Sequence, residues 1–284
     1  MTTPRYTTLI DAEALRELMR ARAPLVVLDT SFDLADAAAG EQHFLEAHIP
    51  GAQYVHLERD LSGLKTGHNG RHPLPSREAF AQTAGGFGIT PDTQVVVYDR
   101  QGATYAGRAW WMLRWIGHGP VAVLDGGFAA WLAAGGETAS GVQVRSGAAT
   151  YPLQPATMRS VNVDELQRML GSVRLVDARA AERYRGEVEP LDARAGHIPG
   201  ALNRFFQHNL ADNGRFKPAD ELRREFTALL GTDTGAGVVH QCGSGVSACH
   251  NLLAMEVAGL SGSALYPGSW SEWSSDPARP AAQG

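Results

Sequence analysis

The chain has 284 residues, 44% of them hydrophobic and 19% charged, and a formal net charge of −5. That composition belongs to a folded globular protein and excludes a disordered or fibrous one, and an acidic balance without runs of like charge argues against nucleic acid or an anionic membrane as a partner. No stretch nears the ~18 consecutive apolar residues of a membrane span, and Met1 to Asp11 lacks the charged-then-apolar pattern of a secretion signal, so a cytoplasmic protein of one large or two ordinary domains is expected.

In chain order, a helix is expected over 11–21 with Asp11 as its N-cap, followed by the apolar run Leu25-Val-Val-Leu-Asp29. The segment Ala47-His-Ile-Pro-Gly-Ala52 comes next. Helices over 76–85 and 108–115 bracket a second apolar run, Val95-Val-Val-Tyr-Asp99, and Asp125-Gly-Gly-Phe-Ala-Ala-Trp131 closes the series. From about 135 to 155 the chain is rich in Gly, Ser, Ala, Thr and Pro and reads as a linker. Then the series starts again. A helix over 163–170, with Asp164 at the cap, precedes Val173-Arg-Leu-Val-Asp177 and Gly196-His-Ile-Pro-Gly-Ala201. A helix over 219–230, with Pro218 in its first turn, precedes Val238-Val-His-Gln-Cys242. A helix over 246–258 and the segment Pro267-Gly-Ser-Trp-Ser-Glu-Trp273 complete the copy, and 277–284 reads as a loose tail.

Four matched segments in one order at nearly constant separation mark a duplication. Short apolar strands alternating with helices give an α/β fold in which each copy is a parallel sheet flanked by helices. The expected division is a first domain over 1–140, a linker over 141–158 and a second domain over 159–284. His48 and His197, which occur in both copies, are read as structural.

The strongest chemical signal is His240-Gln-Cys-Gly-Ser-Gly-Val-Ser-Ala-Cys-His250. A strand ends, a glycine-bearing loop follows and a helix begins. A thiol at that junction faces backbone N–H groups and the positive end of the helix dipole, both of which favour thiolate. Gly243 and Gly245 let the backbone turn inwards so that N–H groups converge on the sulfur. Cys249, seven residues on, is read as a buried helical cysteine. Two cysteines without a C-x-x-C pair imply neither a disulfide framework nor a zinc site.

Other chemistries fit this loop poorly. A cysteine phosphatase needs an arginine six residues after the nucleophile, and position 248 is Ala. Gly243-x-Gly245-x-x-Ala248 matches a dinucleotide fingerprint in form but lies too near the C-terminus to build a nucleotide fold. A G-x-S-x-G hydrolase elbow is absent because Cys242 holds the first glycine position around Ser244.

The loop Cys242-Gly-Ser-Gly-Val-Ser247, both His-Ile-Pro-Gly-Ala segments, the Gly-Ser-Trp-x-Glu-Trp ending and the tandem arrangement resemble the 3-mercaptopyruvate sulfurtransferases, sisters of the thiosulfate sulfurtransferases or rhodaneses. The resemblance implies two rhodanese-like domains, the first without a nucleophile, and Asp99 indeed stands where Cys242 stands in the second copy. It implies a Cys242 persulfide, a loop of Gly243, Ser244, Gly245, Val246 and Ser247 around it, and no metal or organic cofactor. The sulfur acceptors implied are cyanide, small thiols and thioredoxin. Proton delivery to the leaving group falls, by resemblance, to Ser244, His72 in Arg71-His-Pro-Leu-Pro75, and Glu58. Arg183 matches one substrate-carboxylate arginine of the family, whereas Leu191 occupies the position of the other, with Arg185 and Arg194 as neighbours that could replace it. Because the loop side chains are neutral, 3-mercaptopyruvate is the expected donor, with thiosulfate the alternative; a non-enzymatic binding module is the other class to exclude.

Overall fold

In a computed structural model the protein is described at residues 5–143, 147, 149–231, 233 and 235–284; residues 1–4 of the N-terminus, and 144–146 and 148 of the expected linker, lie outside them. The chain forms two compact units. The first comprises Met1–Leu61, Pro75–Thr157 and Asp212–Phe216, and the second Ser62–Leu74, Met158–Ala211 and Lys217–Gly284.

In the first unit β1 (Leu9–Ile10), α1 (Ala12–Ala21), β2 (Leu25–Asp29), α2 (Ala39–Glu46), β3 (Gln53–Tyr54), α3 (Leu57–Asp60), α4 (Arg77–Gly86), β4 (Gln94–Tyr98), α5 (Ala106–Trp115), β5 (Val121–Leu124) and α6 (Gly127–Ala133) follow in turn. The second unit runs β6 (Arg159–Ser160), α7 (Val163–Met169), β7 (Arg174–Asp177), α8 (Ala181–Tyr184), β8 (Leu202–Asn203), α9 (Ala219–Leu230), β9 (Val238–Gln241), α10 (Ala248–Val257), β10 (Ala264–Leu265) and α11 (Ser269–Ser275). Each unit carries a wholly parallel five-stranded sheet, ordered β1-β5-β4-β2-β3 in the first and β6-β10-β9-β7-β8 in the second. The two orders are the same once renumbered, so the sequence duplication is a duplication of topology. The central strands β4 and β9 are buried at every position, which is why they read as unbroken apolar runs rather than alternating ones.

Equivalent segments do equivalent work. His48 stacks on Phe44 at 4.0 Å and its Nδ1 lies 2.7 Å from the Phe44 carbonyl; His197 stacks on Tyr184 at 3.8 Å with Nδ1 2.8 Å from the Tyr184 carbonyl. Both histidines also hold a two-bond antiparallel bridge, His48 to Ala139 and His197 to Ala282. The indole of Trp131 donates to Glu137 O and that of Trp273 to Pro280 O. These contacts correct one expectation: 277–284 is pinned rather than loose, since Ala282 bonds His197 in both directions and Gly284 N–H donates to Arg185 O. His197, Arg185 and the buried Trp273 supply the partners, and composition alone conceals them.

Two caps also differ. The N-cap of α7 is Asn162, not Asp164: its side chain accepts from Glu165 N–H while the Glu165 carboxylate accepts from Asn162 N–H, a reciprocal pair that satisfies two otherwise free donors. Pro218 stands one residue before α9, at the cap, rather than inside the first turn. Asp11 and Ser76 cap α1 and α4 through their side chains.

Candidate active site

The strand order places the chemistry. In the second unit the connection after β7 goes to β8 on one side, whereas β9 lies on the other side of β7, so the chain reverses direction across the sheet between β7 and β9. In open parallel sheets ligands bind beyond the carboxyl ends of the strands at such a reversal. Cys242 follows β9 immediately, and Asp177 ends β7.

The loop 242–247 is held from behind by α11 and the turn before it. Cys242 N–H donates to Ser269 Oγ at 3.1 Å, and the Cys242 and Gly243 carbonyls accept from Trp270 N–H and Ser271 N–H. Ser269 adopts φ 55°, a left-handed conformation that its hydroxyl supports by bonding Tyr266 O. Gly245 has φ 75°, and a β-carbon there would lie 2.3 Å from Pro267 O, so only glycine fits. Its N–H donates to Cys242 Sγ at 3.1 Å. The thiol is therefore buried, 2% exposed, with a backbone donor aimed at the sulfur and α10 beginning just beyond. Val246 and Ser247 complete the turn, their carbonyls accepting from Cys249 and His250 N–H, so α10 begins at Ala248, later than the sequence pattern indicates. Cys249 is fully buried on α10 and its thiol donates to Gly245 O.

Ser244 Oγ and His72 Nδ1 share a hydrogen bond of 2.9 Å, and both side chains are buried. His72 comes from 62–74, the stretch of the first copy that packs within the second unit. The structure thus brings together Cys242, Gly243, Ser244, Gly245, His72 and Arg183. Glu58 is on the short helix α3 of the first unit, whose first N–H groups are capped by His56 Nδ1.

An arginine–carboxylate network flanks the loop. Arg179 grips the buried Asp177 through Nε and Nη2, bonds Glu189 through Nη1, and lies near enough to Cys242 to interact with its charge. Arg183 Nη2 donates to Glu189 at 2.6 Å and to Asp192 at 3.4 Å. Arg71, which sequence reasoning passed over, donates through Nη1 to the other oxygen of Asp192. Burial pushes the Asp192 carboxyl up from the usual range, and the bond and charge of Arg71 oppose that. A β-carbon at position 243 would lie 2.8 Å from Arg71 Nη2 and 3.4 Å from Arg183 Nη1, so two guanidinium edges lie against Gly243. The loop is neutral, as its sequence says, but its surroundings are not. Arg185 forms an ion pair with Glu187 at the surface, and Arg194 donates to Pro277 O and Arg279 O, while Leu191 is 46% exposed. The only sequence signal for Arg71 was its place next to His72.

The first unit has the same loop in another state. Asp99, 1% exposed, accepts four backbone N–H bonds, from Gln101 and Ala103 at Oδ1 and from Tyr105 and Ala106 at Oδ2, all within 2.8–3.0 Å. Its carboxylate fills from inside the cradle that follows the central strand, which leaves no nucleophile in this copy.

The comparisons accord with the duplication. A family model described as Rhodanese-like domain matches residues 11–134 and again 162–276. A Pseudomonas aeruginosa protein named probable 3-mercaptopyruvate sulfurtransferase is 46% identical over 265 residues, covering 92% of this chain and 93% of its own length. A Gallus gallus thiosulfate sulfurtransferase is 36% identical over 275 residues, covering 93% of this chain and 92% of its own. Among solved structures, 3-mercaptopyruvate sulfurtransferase from Leishmania major superposes with a TM-score of 0.84 at 29% identity, over 94% of this chain and 74% of that one.

Proposed function

The chain belongs to the rhodanese-like domain family and is a sulfurtransferase, and from that premise we propose that it moves a sulfane sulfur from 3-mercaptopyruvate, through a persulfide on Cys242, to a thiol, thioredoxin or cyanide acceptor in the cytoplasm. The observation that carries the reading is the Cys242 thiol on a backbone donor, with a Ser244–His72 hydrogen bond two residues on. No described helix is long and apolar enough to cross a membrane. The catalytic domain spans 159–284, joined by 141–158 to a first domain, 1–140, that lacks the nucleophile.

The Cys242 thiolate attacks the donor sulfur, the S–C bond breaks, and its electron pair leaves on carbon as the enolate of pyruvate. The enolate takes a proton through Ser244 and His72, and Glu58 completes the relay that the family resemblance implies. The proton comes in balance from the transferred SH group, so that pyruvate and an anionic Cys242 persulfide result. Gly245 N–H and the N-terminus of α10 stabilise that anion. An acceptor nucleophile then takes the outer sulfur and regenerates the thiolate. Arg183 binds the donor carboxylate. No metal or organic cofactor takes part.

Two guanidiniums beside the loop also suit a dianion, which keeps thiosulfate as a second donor. The test is mass spectrometry after donor treatment together with parallel kcat/KM values for the two donors. One added sulfur on Cys242, none on Cys249, loss of transfer in Cys242→Ser and at least about a tenfold preference for 3-mercaptopyruvate, roughly 1.4 kcal/mol in the transition state, are expected. Activity surviving in Cys242→Ser would refute the persulfide route. Equal or better use of thiosulfate would refute the donor assignment alone.

A further inference from the structure

We propose that the two copies build the same guanidinium clamp with arginines from different loops, and that Arg179 is the positioning residue whose use in the second copy leaves position 243 free for glycine beside Cys242. In the first unit Arg100 donates through Nη1 to Asp29 at 2.7 Å and through Nη2 to the Ala47 carbonyl, and its guanidinium lies 4.2 Å from the centre of the Phe128 ring. In the second unit Arg179 donates through Nη2 to Asp177 at 2.6 Å and to the Gly196 carbonyl at 2.7 Å, and lies 5.0 Å from the centre of the Trp270 ring. Each partner has its counterpart. Asp29 and Asp177 end equivalent strands, and Ala47 and Gly196 precede the repeated histidine. Phe128 and Trp270 each give their N–H to the carbonyl of the residue after the central strand, Asp99 or Cys242.

The arginines themselves do not correspond. Strand register pairs Tyr98 with Asp29 and Gln241 with Asp177, so Arg100 is the equivalent of Gly243, and Arg179 that of Ser31. Ser31 and Arg179 begin alike, each N–H donating to the preceding aspartate Oδ1 at 2.9 Å. Ser31 Oγ then accepts from Arg100 at 3.0 Å, a small side chain beside the arginine that comes from the other loop. Both aspartates are fully buried, and a buried carboxylate without a cation is costly, so each unit needs the clamp. Supplying it from the residue after Cys242 would run a long side chain past the sulfur. The first atom of such a side chain already lies 2.8 Å from Arg71 Nη2 and 3.4 Å from Arg183 Nη1. Relocation also gives the arginine a new contact. Where Arg100 reaches His43 O at 3.3 Å, Arg179 Nη1 reaches Glu189 Oε2 at 3.3 Å, and the other oxygen of Glu189 holds Arg183 at 2.6 Å. Arg179 thus steadies the group beside Gly243 while staying out of that space, its own side chain 1% exposed.

The test is a swap in each unit, read by urea unfolding and by sulfur transfer from 3-mercaptopyruvate; the transfer arm rests on the Cys242 persulfide reading, and the unfolding arm does not. Arg179→Ala should lower the second-unit midpoint by about 1 M or more and reduce kcat/KM, with part of the midpoint kept in Arg179→Lys. Adding Gly243→Arg to Arg179→Ala should restore at least about half of the lost midpoint, because the new side chain enters the clamp as Arg100 does. In that double variant kcat/KM should stay about tenfold or more below wild type. In the first unit Arg100→Gly should lower the midpoint and Ser31→Arg should restore it, with transfer within about twofold of wild type throughout. Should Arg179→Ala not fold, a folded double variant is itself the rescue. An unmoved midpoint in Arg179→Ala, or no recovery in either double variant, would overturn the equivalence of the two clamps. Recovery of stability and transfer together would overturn the role of a vacant position 243. Wild-type protein that transfers no sulfur would overturn the persulfide reading instead, with the unfolding comparison still deciding the clamp.

Discussion

Asp99→Asn is the smallest change that tests whether the first unit's loop is built around a carboxylate. The substitution preserves size and keeps Oδ1 for the N–H groups of Gln101 and Ala103. At the other oxygen it places an amide NH2 against the N–H groups of Tyr105 and Ala106, so two bonds of 2.8 and 2.9 Å become donor-to-donor contacts in a site 1% exposed. Flipping the amide only moves the conflict to the other pair. A buried donor left without a partner costs about 1–3 kcal/mol, so two stranded donors should cost about 2–6 kcal/mol, and Asp99→Ala, which strands all four, about 4 kcal/mol or more. Burial pushes the Asp99 carboxyl up while the four N–H bonds hold it down, so part of the gross bonding offsets desolvation; the lower end of the range is therefore expected for Asn. Urea unfolding is the assay. With a slope of roughly 1–3 kcal/mol per molar, the first-unit midpoint should fall by about 1 M or more. Trp110, Trp111, Trp115 and Trp131 report that unit, and Trp270 and Trp273 the other. A variant within about 1 kcal/mol of wild type would refute the reasoning, because the four donors would then have other partners.

Ser244→Ala should lower kcat with 3-mercaptopyruvate by about a hundredfold and with thiosulfate far less, since sulfite leaves without needing a proton; equal losses would remove Ser244 from proton delivery. Burial lowers His240 to about 3 and His118 to about 4, so the folded protein binds fewer protons than the unfolded chain between those values and about 6.5. Stability should accordingly be full above about pH 6.5 and fall as the pH drops, which denaturation at a series of pH values would show; a flat profile from pH 7 to 5 would contradict it. Deleting 277–284 removes both bonds of the Ala282 bridge, the acceptor for Trp273 and the Gly284 bond to Arg185, and should destabilise the second unit by about 2–4 kcal/mol, whereas a dispensable tail would leave its unfolding midpoint unmoved.

The parts legible in the amino-acid order were those governed by local pattern. Apolar runs of about five residues separated by helical stretches specify buried parallel strands, and their recurrence in fixed order specified the duplication and the identical strand order of the two sheets. The strand–Cys–Gly-x-Gly–helix junction marked Cys242 because turn geometry and helix polarity act over a few residues. The cap of α7 was misread because Asn162 and Asp164 are both good capping residues two positions apart, and only the reciprocal bond to Glu165 separates them. Tertiary structure alone decided which distant groups surround the sulfur. Residues 62–74 carry Arg71 and His72 into the second unit, Asp192 joins arginines from the two copies of the sequence, and Ala282 closes on His197. No local pattern encodes such pairings: a side chain's partner across more than a hundred residues depends on how the whole backbone closes, and the same Arg or Asp in the sequence fits a surface ion pair equally well.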